Sequence, residues 1–258
     1  MRLLDVLIAG YGSAGLRRVS ASVLPEVPGV RYVVCLQNCD DAVPEILQRE
    51  DVEIYRYEDS GLSLNRNHAI EKAAAPLALI ADDDVDYSAA GLRELINFYA
   101  SHPRAELVAV RCGGLGNRRY PEAGRVLQPR VRGYYPASVE ISFRTEAVRG
   151  AGLRFDERFG LGAPEFTSGE DDVFVYKALR VCGLNGVYSG IETGTHRGQS
   201  TEQRRPDDKG VLRSRGAVLR MMHGVGGWPR MALYSLRCRG GRMRALREMI
   251  YGYRHMPR

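Results

Sequence analysis

Short apolar segments alternate with longer amphipathic segments over the first 110 residues. Five segments have strand length and apolar or β-branched character: Asp5–Ala9, Val30–Leu36, Val52–Tyr57, Leu77–Ala81 and Glu106–Arg111. Helices are predicted between them at Ala14–Leu24, Ser63–Ala75 and Ala89–Ala100, the last with Ser88 as its N-cap. Strands and helices alternating at this spacing predict parallel βαβ units with helices on both faces of one sheet.

The second half of the chain is less regular. Residues Gly113–Arg132, rich in Gly, Arg and Pro, predict a loop or lid, and three elements follow: a strand at Ser138–Arg144, a helix at Gly169–Cys182 and a strand at Asn185–Ile191. A polar linker then leads into Val211–Met256, which is Arg-rich and expected to be partly helical. The fold class is therefore α/β, with a mainly parallel central sheet flanked by helices. We predict one domain over residues 1–200, with halves 1–110 and 111–200, and a basic, partly helical C-terminal extension over 201–258.

Charge is distributed unevenly along the 258 residues, whose net charge is +6. Residues 204–258 carry 14 Lys and Arg against 3 Asp and Glu, whereas the rest carries 23 basic against 28 acidic residues. A basic extension on an acidic body predicts an anionic partner near the C-terminal end, either lipid or nucleic acid. Apolar residues lie among the arginines there, which favours an anionic membrane surface. The alternative is an ordinary helical pair packed on the body.

Cysteine usage and hydropathy narrow the cellular setting. The five cysteines are scattered and form no CxxC pair, so free thiols are expected rather than a disulfide framework or a zinc site. The chain contains no run of eighteen apolar residues, so no membrane-spanning helix is predicted. Because the N-terminus leads directly into a strand-like segment interrupted by Asp5, no signal peptide is predicted. We therefore expect a cytoplasmic protein, which the basic C-terminal extension could attach peripherally to the inner face of the membrane.

A glycine motif follows the first predicted strand. Gly10-x-Gly12-x-x-Gly15 has the spacing of the dinucleotide-binding fingerprint, which also needs an acid at the tip of the second strand. That strand ends in Gln37-Asn38, and the acids come later. Geometry alone would select glycines in a tight strand-to-helix turn. NAD(P) or FAD binding is therefore the weaker alternative, although a nucleotide can still approach this sheet edge.

Three adjacent carboxylates, Asp82, Asp83 and Asp84, directly follow the apolar strand at Leu77–Ala81. Like charges at a strand terminus repel one another, so the arrangement is costly unless a cation neutralises it. Carboxylate oxygens at the mouth of an α/β sheet suit Mg²⁺ or Mn²⁺, ions that often also bind a diphosphate. The alternative is a solvated acidic turn that precedes a helix.

Three further blocks of residues lie before and after this acidic cluster. They are Gly61-Leu-Ser-Leu-Asn-Arg-Asn-His-Ala69, Phe155-Asp-Glu-Arg-Phe-Gly160 with Ser168-Gly-Glu-Asp-Asp172, and Gly194-Thr-His196. Together with Asp82-x-Asp84, they resemble the motifs of inverting family 2 glycosyltransferases with the GT-A fold, of the kind found in bacterial surface and capsular polysaccharide biosynthesis. The resemblance spans residues 3 to 200. The first-strand loop and the end of the second strand depart from the family pattern.

The resemblance implies a metal-dependent transfer of a sugar from a nucleotide-diphospho-sugar, a UDP-sugar by expectation, to a hydroxyl of a saccharide or lipid-linked acceptor. It implies a base at Asp171 with Glu170 beside it, and a Mn²⁺ or Mg²⁺ ion held by Asp82, Asp84 and His196. The implied nucleotide-binding residues are Ala9, Tyr11, Gln37, Asn38, Arg66, Asn67, Asp82 and Asp83. An Arg is suited to this role because its planar fork fits a diphosphate.

Other interpretations stay open from the sequence. Ser168-x-x-Asp171 is close to a capping box, which would give these residues a helix-starting role. The chain could bind a nucleotide-sugar without catalysis, or act as a sugar nucleotidyltransferase, although the Gly-Glu-Asp block gives the latter little support. A basic nucleic-acid-binding protein is a further alternative. Nucleic acid is not expected as a partner, because the Arg-rich segment contains no interleaved aromatic platforms or known reader motif.

Overall fold

The computed structural model describes residues 1–116, 118–128, 134–198, 207–238 and 241–256. An eight-stranded sheet has the order β3-β2-β1-β4-β7-β6-β8-β5. Its strands are β1 (Leu4–Tyr11), β2 (Val30–Gln37), β3 (Val52–Tyr57), β4 (Leu77–Asp82), β5 (Val85–Tyr87), β6 (Leu107–Gly113), β7 (Ile141–Arg144) and β8 (Gly186–His196). Strands β5 and β7 run antiparallel to their neighbours, and the remaining pairings are parallel. The predicted mainly parallel sheet is confirmed.

The helices follow the strands in the predicted alternation. They are α1 (Gly12–Ala21), α2 (Leu62–Lys72), α3 (Ala89–Ser101), α4 (Thr145–Gly150), α5 (Glu170–Tyr176), α6 (Lys209–His223), α7 (Gly227–Ser235) and α8 (Arg242–His255). Helix α5 continues into a π-helical turn at Lys177–Val181. Ser88 caps α3 as predicted, because its hydroxyl accepts a hydrogen bond from the backbone N–H of Gly91.

Apolar side chains cover both faces of the sheet. Successive residues of β1 point to opposite faces: Val6 and Ile8 belong to one core and Leu7 to the other. Helices α1 and α3 pack on the first face, whereas α2, α4 and α5 pack on the second. Because both faces are covered, strands such as β1 and β2 are almost continuously apolar, and this continuity is what made them visible in the sequence.

Three elements differ from the sequence prediction. Residues Val85–Tyr87 form a strand, because they pair antiparallel with the end of β8, which reaches His196 rather than Ile191. Residues Ser138–Glu140 form a 3-10 turn instead of the start of a strand. Helix α4 was not predicted. Each element is short, so its conformation depends on distant pairing and packing rather than on a local pattern. In the described part of the Gly113–Arg132 segment, Val126 makes an isolated bridge with Val187.

The C-terminal extension folds into three helices, α6, α7 and α8, as its composition indicated. Helices α6 and α8 cross closely: a Cβ on Gly216 would lie 1.9 Å from the carbonyl oxygen of Met249. A further apolar cluster joins α6 to the segment around α5 through Phe159, Phe166, Val173, Ala217, Val218, Met222 and Met256. Residues 201–206, 239–240 and 257–258 of the predicted extension lie outside the described residues. Among the described helices, none has the length and apolar character needed to cross a membrane.

Candidate functional site

A buried guanidinium joins two of the predicted blocks at the carboxyl end of the sheet. Arg66 of α2 is 1% exposed, and its Nη1 donates to Glu170 Oε1 at 2.8 Å. Its Nη2 donates to Asp82 Oδ1 at 2.7 Å and to the Ser138 hydroxyl at 2.8 Å. A planar fork can serve several acceptors at once, which a single ammonium cannot do in the same geometry. Arg66 therefore ties the end of β4 to the first turn of α5.

The charge of Arg66 is retained despite its burial. Burial lowers the pKa of Arg66, but the carboxylates of Asp82 and Glu170 outweigh this and raise it above its ordinary value. The guanidinium also lies 5.4 Å from the centre of the Phe155 ring. Arg66 was predicted to contact the nucleotide, and the structure places it instead among carboxylates inside the protein. Direct contact with a nucleotide stays a prediction.

Asp83 points away from Asp82 and towards α1. Its carboxylate accepts two hydrogen bonds from Arg18, at 2.7 and 2.8 Å. Burial raises the pKa of Asp83 even though Arg18 pairs with it. A Cβ on Gly15 would lie 3.0 Å from Asp83 Oδ2, and one on Gly10 would lie 3.6 Å from it. A Cβ on Gly10 would also lie 2.8 Å from the Leu36 side chain, so Gly10 makes room for Leu36 and Gly15 for the Asp83 carboxylate. A carboxylate at this position disfavours a pyrophosphate beside it.

Asp84 and His196 meet where β5 pairs with the end of β8. The His196 Nε2 lies 3.1 Å from Asp84 Oδ1, and its Nδ1 lies 2.8 Å from the carbonyl oxygen of Gly198. The hydrogen bond with Asp84 raises the pKa of His196, against a smaller opposing effect of burial. Burial raises the pKa of Asp84, but His196 outweighs it and the pKa is lowered. The structure thus brings together two of the three predicted metal ligands.

The three carboxylates therefore have three different protein partners: Arg66, Arg18 and His196. The two guanidinium cations offset much of the mutual repulsion within the protein, so repulsion alone does not require a metal ion. In the part of the chain that the structure describes, no three Asp, Glu, His or Cys side chains are grouped so as to hold a metal. The donor types nevertheless fit Mn²⁺ or Mg²⁺. A histidine held through its other nitrogen by a carbonyl is also typical of metal-ligating histidines.

The first turn of α5 holds the predicted base. Gly169 is the N-cap, with φ of 83°, and it has no side chain with which to cap the helix. The capping-box interpretation of Ser168 and Asp171 is wrong, because the N-cap is Gly169 rather than Ser168 and the N–H of Ser168 donates to the Ser214 hydroxyl. Glu170 is buried against Arg66, whereas Asp171 is half-buried and accepts a hydrogen bond from the N–H of Asp172 at 2.9 Å. Of the two predicted catalytic carboxylates, Asp171 is the more accessible.

The predicted nucleotide-binding residues of β1 and β2 occupy one edge of the site. Ala9 is buried in register with Asp82, and the Tyr11 side chain is 55% exposed. The buried Gln37 donates to Asp59 Oδ1 at 2.6 Å and accepts from the N–H of Gly61 at 3.2 Å. These bonds fix the loop that leads into α2. Tyr11 is therefore the residue of this group that is free to stack on a base.

Asn38 and Asn67 have mainly structural contacts. Asn38 has a left-handed backbone, with φ of 50°, and its amide donates to the Asp59 carbonyl and the Ser60 hydroxyl. The buried Asn67 exchanges hydrogen bonds with the backbone of Phe155 and also donates to Glu157. The side-chain amide of Asn67 thus attaches the Gly61–Ala69 block to the Phe155–Gly160 block. Nucleotide binding by either Asn stays a prediction.

Asp156 holds the Phe155–Gly160 segment against the π-helical turn that follows α5. Its carboxylate accepts hydrogen bonds from Arg158, at 2.6 and 2.8 Å, and from Lys177 at 3.0 Å. Burial alone would raise the pKa of Asp156, but the two cations outweigh it and hold the pKa well below its ordinary value. The ion pairs of Asp156 therefore stabilise the Phe155–Gly160 segment beside the site.

Arg18 and Ser138 were not predicted as residues of the site. Arg18 is 65 residues from Asp83, and Ser138 is 72 residues from Arg66. Arg18 looked like an ordinary charge on a helix, and Ser138 like the start of a strand. No local signal marks either residue, because only the folded sheet brings their partners together.

Comparison with protein-family models and with curated proteins gives no match. Comparison of structures finds residues 1–349 of S. aureus TarS in complex with UDP, with a TM-score of 0.59 and 16% identity, covering 91% of this chain and 70% of that one. The same fragment in complex with UDP-GlcNAc gives a TM-score of 0.58 at 15% identity, covering 91% and 71%. This chain is fully covered by the longer TarS structure but spans 44% of it. These neighbours are GT-A transferases, so the predicted GT-A fold is confirmed.

Proposed function

We propose that this chain transfers a sugar from a nucleotide-diphospho-sugar, with UDP as the expected nucleotide, to an acceptor hydroxyl. The proposal depends on one observation: Arg66 holds Asp82, of the acidic cluster, and Glu170, the neighbour of Asp171, on a single guanidinium. The carboxylates to which we assign the donor side and the acceptor side are therefore neighbours at the carboxyl end of the sheet, where α/β proteins bind ligands. The shared fold with TarS structures solved with UDP and UDP-GlcNAc supports the same donor class.

We propose that the transfer inverts the configuration of the anomeric carbon. Such a transfer requires a base on the acceptor side, and we assign that role to Asp171. The acceptor oxygen attacks the anomeric carbon and gives its proton to Asp171 as the bond from that carbon to the diphosphate breaks. The nucleoside diphosphate leaves with the bonding electron pair. Glu170 is a positioning residue in this scheme, because its buried carboxylate is held by Arg66 and fixes the first turn of α5.

On the donor side, Asp82, Asp84 and His196 would hold Mn²⁺ or Mg²⁺, which would neutralise charge on the departing diphosphate. The exposed ring of Tyr11 would stack on the base. Arg66 is a positioning residue as well, since its fork orients Asp82. The acceptor is proposed to be a saccharide or a lipid-linked molecule.

The experiment separates binding from turnover. We expect Asp171→Asn to lower sugar transfer or hydrolysis of UDP-GlcNAc about 10²–10⁴-fold, the usual loss for a positioned base, with UDP affinity nearly unchanged. Asp84→Ala should instead weaken the binding of UDP measured by calorimetry with Mn²⁺. Without Mn²⁺, the variant and the wild type should bind UDP equally.

Two matched variants serve as controls. Asp172→Asn makes the same change at the next residue of α5, and Asp86→Asn removes a carboxylate that bonds to the N–H of Val23. Both should keep turnover and UDP binding. Full activity of Asp171→Asn would show that the base is elsewhere. Release of pyrophosphate from a nucleoside triphosphate and a sugar phosphate would indicate a nucleotidyltransferase instead.

A further inference from the structure

Exposed apolar side chains are concentrated around α7. Five of the twelve large apolar residues that are strongly exposed in the described chain lie between residues 225 and 243. They are Val225 (82%), Trp228 (38%), Leu233 (63%), Leu236 (57%) and Met243 (79%), and we name them the α7 patch. Single exposed apolar residues are ordinary, but five within nineteen residues, on α7, beside both of its ends and at the start of α8, indicate an interaction surface.

Helix α7 is apolar on its outer side as well as its inner side. Gly227, Met231 and Ser235 are buried at a spacing of four, and Met231 packs in the core of the three helices. At 100° per residue, Leu233 and Leu236 lie on the opposite face. A helix in contact with water would carry polar residues there. The outer face therefore fits an apolar partner.

Exposed arginines lie among the residues of the α7 patch along the chain. Arg230 and Arg237 are exposed on α7 and at its end, and exposed Arg242, Arg244 and Arg247 follow at the start of α8. The described residues 207–238 and 241–256 contain three acids. Glu248 is buried and paired with Arg213, Asp208 caps α6, and Asp207 lies near Cys238. The partner surface must therefore be both apolar and anionic.

We propose that the α7 patch and its arginines dock this protein on an anionic lipid bilayer. Aliphatic side chains can enter the boundary between headgroups and acyl chains while the arginines contact lipid phosphates. A second copy of the chain is a poor partner, because a two-fold contact would bring the arginines of both copies together. Nucleic acid is also a poor partner, because four of the five residues of the α7 patch offer it neither charge nor an aromatic face. The fifth, Trp228, packs its ring against that of Tyr253, with 5.1 Å between the ring centroids.

The position of the three helices gives this docking a consequence for the proposed function. The hydroxyl of Ser214 on α6 accepts a hydrogen bond from the N–H of Ser168, two residues before Glu170. A Cβ on Gly169 would lie 3.0 Å from Val218 of the same helix. The helices therefore contact the segment that presents Asp171. Docking would hold the acceptor side of the site near the bilayer, as a lipid-linked acceptor requires.

Vesicle binding tests the proposal without using catalysis. The full chain is mixed with vesicles of phosphatidylcholine alone, or of phosphatidylcholine with phosphatidylglycerol, and sedimented. We expect binding to the anionic vesicles that high salt weakens. Trp228 is the one tryptophan of the chain, so its emission should shift to the blue on binding. Loss of binding would not affect the proposed transferase function, which the UDP-sugar assay tests separately.

Paired variants locate the surface. Leu233→Ser with Leu236→Ser should weaken binding about tenfold or more, and Arg230→Ala with Arg237→Ala about 30-fold. Matched controls change equally exposed residues elsewhere: Ile46→Ser with Val181→Ser, and Arg93→Ala with Arg104→Ala. The controls should bind as the wild type does. Thermal unfolding and far-UV circular dichroism establish that every variant is folded.

Several results would overturn the proposal. They are equal binding to both vesicle types, no binding to either, and wild-type binding by the two patch variants. If the Leu variants abolish a concentration-dependent dimer in sedimentation velocity while vesicle binding persists, the α7 patch is a contact between copies. If single-stranded RNA prevents vesicle binding and the Leu variants have no effect, the surface recognises phosphate alone and not a bilayer.

Discussion

Replacing Arg66 with Met tests the ionic connection at the centre of the site. Met retains much of the side-chain length and removes the charge, so Glu170 Oε1 and Asp82 Oδ1 lose their guanidinium partner. Removing one partner of a buried ion pair costs about 3–5 kcal/mol, because the other charge stays buried. The Asp82 side chain is 27% exposed and partly screened, whereas that of Glu170 is 11% exposed. We therefore expect a loss of about 3–4 kcal/mol, mainly from Glu170.

Equilibrium urea unfolding, followed by far-UV circular dichroism, measures this loss. Glu170→Gln and the double variant complete a thermodynamic cycle, in which we expect a coupling energy of about 2 kcal/mol. Arg66→Lys should fall between the wild type and Arg66→Met, because its ammonium keeps the charge but cannot reach all three acceptors. An unchanged dependence of free energy on urea would show that the variants unfold from equally compact states.

The reasoning is refuted if Arg66→Met loses less than about 1 kcal/mol and the coupling with Glu170 is below about 0.5 kcal/mol. That result would mean that the two carboxylates are solvated well enough to need no cation. The proposed positioning roles of Arg66 and Glu170 would then also be wrong.

Three further predictions concern stability. Arg158 and Lys177 lower the folded-state pKa of Asp156. The ionised carboxylate therefore stabilises the folded protein fully above the unfolded-state pKa, and this contribution is lost as pH falls through the folded-state pKa. Urea unfolding should therefore show Asp156→Asn destabilised at pH 7, with the difference narrowing below about pH 4. Gly216→Ala places a Cβ 1.9 Å from the Met249 oxygen, and calorimetry should show a net loss of about 1–3 kcal/mol despite alanine's better helix propensity. Asp5→Ala leaves the buried guanidinium of Arg31 with one carboxylate fewer, and should cost about 3–5 kcal/mol in urea without changing UDP affinity. Wild-type stability of any of these variants would contradict its prediction.

The candidate site could be located from the sequence because its residues follow predicted elements. Asp82 and Asp84 follow an apolar strand, and Asp171 opens an amphipathic helix, so sheet topology alone brings them towards one edge. The sequence did not reveal how each carboxylate is neutralised. Arg18 lies on α1 and His196 at the end of β8, and their contacts with the acidic cluster depend on the order of the strands.

Glycine shows the same division between local and distant causes. Gly10 and Gly15 match a dinucleotide motif in the sequence, and the alternative was a tight turn. In the structure, Gly15 accommodates Asp83, which comes from a different strand end, and Gly10 accommodates the side chain of Leu36. A motif of three glycines reports that the backbone must approach something closely. It does not report which group is approached.

The sequence by itself determined the alternation of strands and helices, the fold class, the position of the acidic cluster and the charge of the C-terminal extension. These properties follow from periodicity and composition, which are local and survive in a linear pattern. Tertiary structure decided the pairing of Asp82, Asp83 and Asp84 with Arg66, Arg18 and His196, the formation of β5 and the outward apolar face of α7. Each of these depends on contacts between residues distant in the chain, and the energy of such a contact exists only after the fold has brought its partners together.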